Sequence, residues 1–191
     1  MSSAGSKGKV VIITGPSGVG KSTIVKEVVR RGEAVFSVSA TTRKPRAGEV
    51  DGKDYRFVDH DTFRRMIDRG ELLEWAKVFG EYYGTVMRDV QDVVDSGRTI
   101  VLEIDIQGGL QVSQRLTDAT YVLIVPPDDK TLEQRLVGRG SENARSLELR
   151  LGEARKEIEV AIQSGVYNHQ VINDDLERTV QEVLGIVQES K

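Results

Sequence analysis

The sequence predicts an α/β fold in which a mostly parallel sheet carries helices on both faces. Short apolar runs typical of buried strands alternate with stretches of helical character. A glycine-rich turn joins the first predicted strand, Val10–Thr14, to the first predicted helix. The length of 191 residues suits one domain, or one domain that carries small inserted lobes.

Each predicted element has its own local signal. The helix at about 21–31 ends near Gly32, and Pro126 and Pro127 stop the apolar run at 121–125. The run at 99–105 ends in two acids. The remaining predictions are an extended run at 35–40, a short helix at 61–69, a strand at 170–173 and a last helix capped by Asp174 or Asp175, with Leu176, Val180, Val183, Leu184 and Val187 on one face.

Two stretches interrupt the alternation of strands and helices. Residues of about 37–85 contain short extended pieces, and residues of about 127–152 are rich in arginine and glycine. We therefore expect a single domain over 1–191. Its core comprises about 10–36, 86–126 and 153–191, and the two stretches form lobes set into that core.

Composition excludes several classes of function. The chain has no cysteine, which excludes disulfides, thiolate zinc sites and thiol nucleophiles. With 27 Lys and Arg against 30 Asp and Glu, the formal charge is −3, so we expect no nucleic-acid partner. The apolar run Val10 to Ile13 is too short for a signal peptide or a membrane span, and we expect no membrane partner and a cytoplasmic protein.

A phosphate-binding loop follows the first strand. Residues 15–22 fit the pattern G-x-x-x-x-G-K-[ST], between a strand and a helix as the motif requires. Lys21 would neutralise the β- and γ-phosphates of ATP, and the Ser22 hydroxyl would reach Mg²⁺. The pattern indicates a P-loop NTPase-type core, but motors, GTPase switches and kinases share it. The predicted ATP-binding residues of this segment are Gly15, Pro16, Ser17, Gly18, Val19, Gly20, Lys21, Ser22 and Thr23.

A second anion site is indicated by two arginines three residues apart. Arg43 and Arg46 could clamp a dianionic phosphate with bidentate hydrogen bonds. Tyr55, Tyr82 and Tyr83 are candidate hydroxyl donors nearby. A basic loop is also common on solvated surfaces, so these residues alone leave both interpretations open.

Five segments of the chain resemble the guanylate kinases, in the expected order from about Val10 to the end. They are FSVSATTRKPRAGEVDGKDYRFV (36–58), ELLEWAKVFGEYYGT (71–85), LEIDIQG (102–108), RLVGRGSE (135–142) and INDDL (172–176). The resemblance implies transfer of the γ-phosphoryl group of ATP to GMP or dGMP, with Mg²⁺. It also implies that 37–85 is a GMP-binding lobe and that 127–152 is a short mobile lid.

The resemblance further assigns roles to individual residues. Three arginines would descend with the lid over the ATP phosphates, and Asn173 would lie near the adenine. Asp105 would lie between the two nucleotides. The implied catalytic residues are Lys21, Arg43, Arg135, Arg139 and Arg150; the implied GMP contacts are Arg43, Arg46, Tyr55 and Tyr83 to the phosphate and Ser39, Glu74 and Thr85 to the base.

The chemistry of guanine is consistent with these implied contacts. Guanine presents N1–H and an exocyclic amine as donors, and O6 as an acceptor. A carboxylate at Glu74 can accept from both donors, whereas adenine would face it with an acceptor at N1. Buried groups left unpaired in this way can discriminate by roughly 10⁴-fold. The attacking oxygen belongs to the GMP phosphate, whose second pKa is about 6, so no general base is required.

Two alternatives to a GMP kinase stay open at this point. A kinase of AMP, CMP, UMP or dTMP would share the phosphate loop, but Ser39, Glu74 and Thr85 favour guanine. Guanylate-kinase-like modules of scaffold proteins bind phosphopeptides, but their phosphate loops are typically degraded. Asn168 stands where the family commonly has aspartate. The sequence does not determine the oligomeric state.

Overall fold

Five strands form the main sheet of the computed structural model, which describes residues 8–137 and 144–189. In order across the sheet, the strands are β2 (Val35–Phe36), β7 (Ile100–Glu103), β1 (Val10–Thr14), β8 (Thr120–Val125) and β9 (His169–Ile172). Every neighbouring pair is parallel. The predicted α/β fold with a parallel core is confirmed.

Helices cover both faces of this sheet because its strands are apolar on both sides. On one face, Val11 and Ile13 of β1 pack with α1 (Lys21–Gly32) and α7 (Leu176–Glu189). On the other face, Ile12 packs with α3 (Met87–Asp95) and α4 (Ile106–Ser113). The β1 side chains therefore alternate between two buried layers, as in a central parallel strand.

A second sheet forms the inserted lobe. Its order is β4 (Arg56–Phe57), β3 (Ala40–Thr41), β6 (Glu81–Val86) and β5 (Leu72–Val78), and β5 and β6 form an antiparallel hairpin. Helix α2 (His60–Asp68), capped by Asp59, buries Phe63 against this sheet. The predicted extended run at 35–40 is thus divided between two sheets, because β2 pairs with β7 while Ala40 pairs with β6.

Two helices lie in the described part of the region predicted as a lid. Helix α5 (Asp129–Val137) buries Leu132 and Leu136 against Ala154 of α6 (Ala144–Ser164). Helix α6 then continues to the main sheet, where Ala161 packs with Leu123 of β8. The predicted limit of the lid, about residue 152, falls within this continuous helix. In the described part of the chain, no helix is both long and apolar enough to cross a membrane.

Candidate active site

The turn between β1 and α1 follows a backbone path that requires glycine at two positions. Gly20 caps α1 with a φ of 102°, and a Cβ there would lie 2.6 Å from Asn173 Nδ2. A Cβ on Gly15 would lie 2.3 Å from the backbone oxygen of Ile124. The loop therefore packs tightly against the end of β8 and against Asn173, which follows β9. It brings the positive N-terminus of α1 to the carboxyl edge of the sheet.

The two polar residues that open α1 are already engaged within the loop and the sheet. Lys21 Nζ donates to the carbonyl oxygens of Gly15 and Pro16, the latter at 3.2 Å. Ser22 Oγ donates to Glu103 Oε1 at 2.6 Å. Glu103 ends β7 and is in register with Ile13 of the neighbouring β1, so the parallel pairing brings its carboxylate to the start of α1.

A cavity of about 400 Å³ opens over the phosphate loop. Helix α6 forms its opposite wall, and the turn of the β5–β6 hairpin reaches its rim. Phe79, at the tip of that turn, has a φ of 50° and is 99% exposed. Sequence reasoning missed Phe79, although an aromatic residue before a glycine between two strands was a usable signal. The lining residues are Gly15, Pro16, Ser17, Gly18, Gly20, Lys21, Ser22, Val78, Phe79, Glu103, Asp105, Arg150, Glu153, Ala154 and Glu157.

Arg135 and Asn173 meet behind the phosphate loop. The buried Asn173 side chain donates through Nδ2 to the carbonyl oxygen of Val19 at 2.7 Å. Arg135 Nη1 donates to the same oxygen at 3.3 Å, and Nη2 donates to the Asn173 carbonyl oxygen at 2.9 Å. These hydrogen bonds of Arg135 and Asn173 therefore lie within the protein, whereas Arg150 lines the cavity itself.

Glu157 is a site residue that sequence reasoning missed. It projects from α6 into the cavity over the loop. Burial raises the pKa of its carboxyl, and the nearby Asp105 raises it further, while Lys21 acts in the opposite direction. The residue lies in an amphipathic helix among many acids, so its spacing carried no distinguishing signal.

A second cavity, of about 260 Å³, lies between the lobe and the main sheet. Lobe strands contribute Glu74 and Tyr83, and the loop before β3 contributes Ser39. Glu103 and Asp105 line this cavity as well as the one over the phosphate loop. The full lining is Ser39, Tyr55, Glu74, Ala76, Val78, Tyr83, Gly84, Glu103, Ile104 and Asp105.

Glu74 is the buried acid of this second cavity. Only 6% of the residue is exposed, and its Oε1 accepts a 2.7 Å hydrogen bond from the hydroxyl of Thr85 on the paired strand β6. Burial raises the pKa of Glu74 to about 7; Asp105 adds to this rise, and the Thr85 hydrogen bond opposes it. The predicted partner Thr85 thus contacts Glu74 directly, and the carboxyl group is poised between its two protonation states.

Glu74 approaches the first turn of α4 closely at Gly108. Asp105 caps this helix, because its Oδ1 accepts from Gly108 N at 2.6 Å. A Cβ on Gly108 would lie 3.0 Å from Glu74 Oε2. The first turn of α4 therefore lies against the carboxylate of Glu74, and Asp105 lies beside both.

Arg43 is held at the edge of the same cavity. Its Nη1 and Nη2 donate to the two carboxylate oxygens of Glu49 at 2.9 and 2.8 Å. Its guanidinium lies 5.3 Å from the ring centroid of Tyr55, which in turn meets Tyr83 edge-on at 6.0 Å. Three of the four predicted phosphate contacts are therefore grouped, together with Glu49, which was not predicted.

Other predicted residues lie elsewhere. Arg46 and Thr23 are exposed and do not line either cavity. The candidate donor Tyr82 instead stacks on Phe63 in the lobe core at 5.3 Å, because neighbouring strand residues point to opposite faces. Arg139 lies outside the described residues. Asn168 accepts from the backbone N–H of Tyr121 at 2.9 Å, at the start of β8.

Comparisons with known proteins agree with this architecture. A family model described as guanylate kinase matches residues 7–190. The chain is 45% identical over 175 residues to a guanylate kinase of Trichodesmium erythraeum, covering 91% of this chain and 92% of that protein. It is 43% identical over 182 residues to a guanylate kinase of Clostridium perfringens, covering 95% and 83% of the two chains.

A solved structure is also similar. The crystal structure of guanylate kinase from Anaplasma phagocytophilum superposes with a TM-score of 0.73 at 31% identity, covering 96% of this chain and 86% of that one. The resemblance found in the sequence motifs is thereby confirmed, and so is the P-loop NTPase-type fold. The chain belongs to the guanylate kinase family.

Proposed function

We propose that this enzyme transfers the γ-phosphoryl group of ATP to GMP, with ATP on the phosphate loop and GMP in the cavity beside Glu74. The observation that carries this assignment is the shared wall of the two cavities. Val78, Glu103 and Asp105 line both of them, so ligands bound in the two cavities would meet at these residues. A phosphoryl group can pass between two nucleotides only where their phosphates meet in line.

The ATP side supplies positive charge from the loop and from α6. Lys21, the loop amides and the start of α1 would hold the β- and γ-phosphates. Arg150 lines the opposite wall of the same cavity, where it would stabilise charge on the transferring group. Arg135 and Asn173 support the loop from behind through Val19. For Arg139 the proposal rests on the resemblance alone.

Mg²⁺ would bind with ATP beside Ser22. The Ser22 hydroxyl and the Glu103 carboxylate lie within 2.6 Å of each other, and both are the oxygen ligands that Mg²⁺ prefers. Water and phosphate oxygens commonly complete such a site. When bound, the ion would offset the charge of the β- and γ-phosphates.

On the GMP side, the ionised Glu74 would accept hydrogen bonds from N1–H and the exocyclic amine of guanine. Ser39 would donate to O6, and Thr85 would hold Glu74 in place through the 2.7 Å hydrogen bond. Arg43, Tyr55 and Tyr83 would bind the phosphate, and Arg46 would join them when the lobe closes. Asp105, on the shared wall, would lie between the nucleotides.

The reaction needs alignment rather than a general base. The GMP phosphate is mostly a dianion at neutral pH, so its oxygen is already a nucleophile. The protein must bring two anions together and keep water from ATP. We propose that the lobe at 37–85 and the lid at 127–152 close over both substrates to do so. ATP and GMP occur together in the cytoplasm, where we expect the enzyme to act.

A coupled assay of ADP release tests this function. ATP and Mg²⁺ are supplied with GMP, dGMP, AMP, CMP, UMP or dTMP in turn, and the Lys21→Ala variant is the control. We expect turnover with GMP and dGMP that is lost in the variant. Preference for another monophosphate would refute the role of Glu74. Binding of GMP without turnover would instead identify a binding module.

A further inference from the structure

Glu49 makes three hydrogen bonds at the edge of the proposed GMP-phosphate site. Its two carboxylate oxygens accept from Nη1 and Nη2 of Arg43 at 2.9 and 2.8 Å. One of these oxygens, Oε2, also accepts from the backbone N–H of Arg46 at 2.7 Å. The ion pair is mostly sheltered from solvent, with side-chain exposures of 15% for Arg43 and 19% for Glu49.

The position of this carboxylate is set by its own turn. The backbone N–H of Glu49 donates to the Arg46 carbonyl oxygen at 3.1 Å, and the Glu49 side chain returns to the Arg46 N–H. Gly48, between them, has a φ of 88°. Residues 46–49 thus form a closed turn, and Glu49 is anchored in it independently of Arg43.

Arg43 is the partner that this anchored carboxylate orients. The guanidinium is a planar fork, so two parallel bonds fix its plane as well as its position. Both bonds use the terminal nitrogens, which leaves the edge that carries Nε–H outside the contact with Glu49. The hydrogen bonds from Arg43 also hold the pKa of Glu49 below its usual range, so the carboxylate is charged at neutral pH.

We infer that Glu49 is a positioning residue for GMP, which fixes the Arg43 fork and the Arg46 turn so that the phosphate meets a preformed site. This inference rests on the proposed function and adds to it a residue that does not touch the substrate. Without Glu49, Arg43 would keep its 2.7 Å bond to the Lys44 carbonyl oxygen and its contact with the Tyr55 ring. It would lose the two parallel bonds that fix the plane of its fork, so the phosphate would have to supply that part of the ordering and GMP would bind more weakly.

The opposite role would make Glu49 a stand-in for the phosphate. In that case the carboxylate would leave Arg43 when GMP binds, and a substitution that removes the Glu49 charge would tighten GMP binding. The bond from Arg46 N–H favours positioning, because a group that is displaced on binding has no need of an anchor in its own turn. The two roles predict opposite changes in the KM for GMP.

Steady-state kinetics of Glu49→Gln, Glu49→Asp and the control Asp54→Asn test the inference. Asp54 lies in the same loop and accepts from Val50 N at 2.8 Å without contacting Arg43, so its variant loses a comparable loop contact and the same charge. We expect Glu49→Gln to raise the KM for GMP roughly tenfold, the scale of one charge-assisted hydrogen bond. The kcat and the KM for ATP should change by less than about twofold, and Asp54→Asn should match the wild type.

The double variant Glu49→Gln, Arg43→Lys makes the test specific. Lysine keeps the charge but has no fork to orient, so Glu49→Gln should add little to the KM for GMP in that background. Three results would each overturn the inference. They are a lower KM for GMP in Glu49→Gln, a KM for GMP that rises as much in Asp54→Asn as in Glu49→Gln, and effects of Glu49→Gln and Arg43→Lys on this KM that are fully additive. If Glu49→Gln does not fold, Glu49→Asp, which keeps the charge on a shorter side chain, should still raise the KM for GMP. Absence of wild-type turnover with GMP would refute the proposed function, and the inference with it.

Discussion

GMP binding should release protons from Glu74. In the ligand-free protein, burial raises the pKa of this carboxyl to about 7, so about half of the molecules carry a proton there at pH 7. The bound guanine requires the ionised form, because its N1–H and amine are both donors. Each binding event at pH 7 should therefore release about 0.5 proton from Glu74. The GMP phosphate adds about 0.1, because roughly a tenth of free GMP carries a second proton at this pH.

Calorimetric titration with GMP in two buffers of different ionisation enthalpy measures this quantity directly. The expected total is about 0.6 proton at pH 7 for the wild type and about 0.1 for Glu74→Gln, in which only the phosphate titrates. At pH 8.5 both values should fall close to zero, since Glu74 and the phosphate are then ionised before binding. Equal release from wild type and variant at pH 7, or net uptake by the wild type, would refute this account of Glu74.

Three further predictions concern stability and the ATP loop. Between pH 4.5 and about 7 the folded protein holds a proton on Glu74 that the unfolded chain releases, so the free energy of unfolding should fall as the pH rises, by up to about 3 kcal/mol. In urea unfolding, Glu74→Gln should therefore be more stable than wild type at pH 8 but not at pH 4.5, whereas the control Glu182→Gln, at an exposed position, should match wild type at both pH values. Calorimetric titration with ATP should show no binding to Gly20→Ala, because Gly20 has a φ of 102° and a Cβ there would clash with Asn173. The control Gly165→Ala has a φ of 66° and open space around it, so it should lose only about 1–2 kcal/mol of stability and keep its affinity for ATP. Asn173→Ala should raise the KM for ATP more than the KM for GMP in the coupled assay, because its side chain contacts Val19 of the loop.

The elements of the parallel core were predictable because their signals are local. Val10–Thr14 was predicted with the bounds it has in the structure, since an apolar run between a polar start and a glycine-rich turn leaves little choice. Asp175 was one of the two predicted caps of the last helix, and its carboxylate accepts from Arg178 N at 2.9 Å. In both cases, neighbouring residues in the sequence determine the structure.

The lobe was less predictable because its pairing is distant in sequence. The strands Ala40–Thr41 and Arg56–Phe57 have two residues each, too few to show a period. From their residue type alone Tyr82 and Tyr83 were equivalent candidates, and the choice of Tyr83 came from the resemblance. In the structure, Tyr82 packs on Phe63 and Tyr83 lines the cavity. The contact of Glu49 with Arg43 depends on the turn between them, which the acidic side chain alone did not indicate.

The hydrogen bonds that Val19 accepts behind the phosphate loop also determine how a backbone N–H on the other side of the loop is oriented. Val19 directs its carbonyl oxygen inward, where Asn173 and Arg135 both donate to it, which uses the two lone pairs of that oxygen. In a planar trans peptide, the carbonyl and the following N–H point in opposite directions. The N–H of Gly20 is therefore aimed outward by two side chains that need not touch the nucleotide. Substitutions at these two donors would reorient an anion-binding dipole at a distance, so they would weaken affinity for a triphosphate while every residue of the loop is intact.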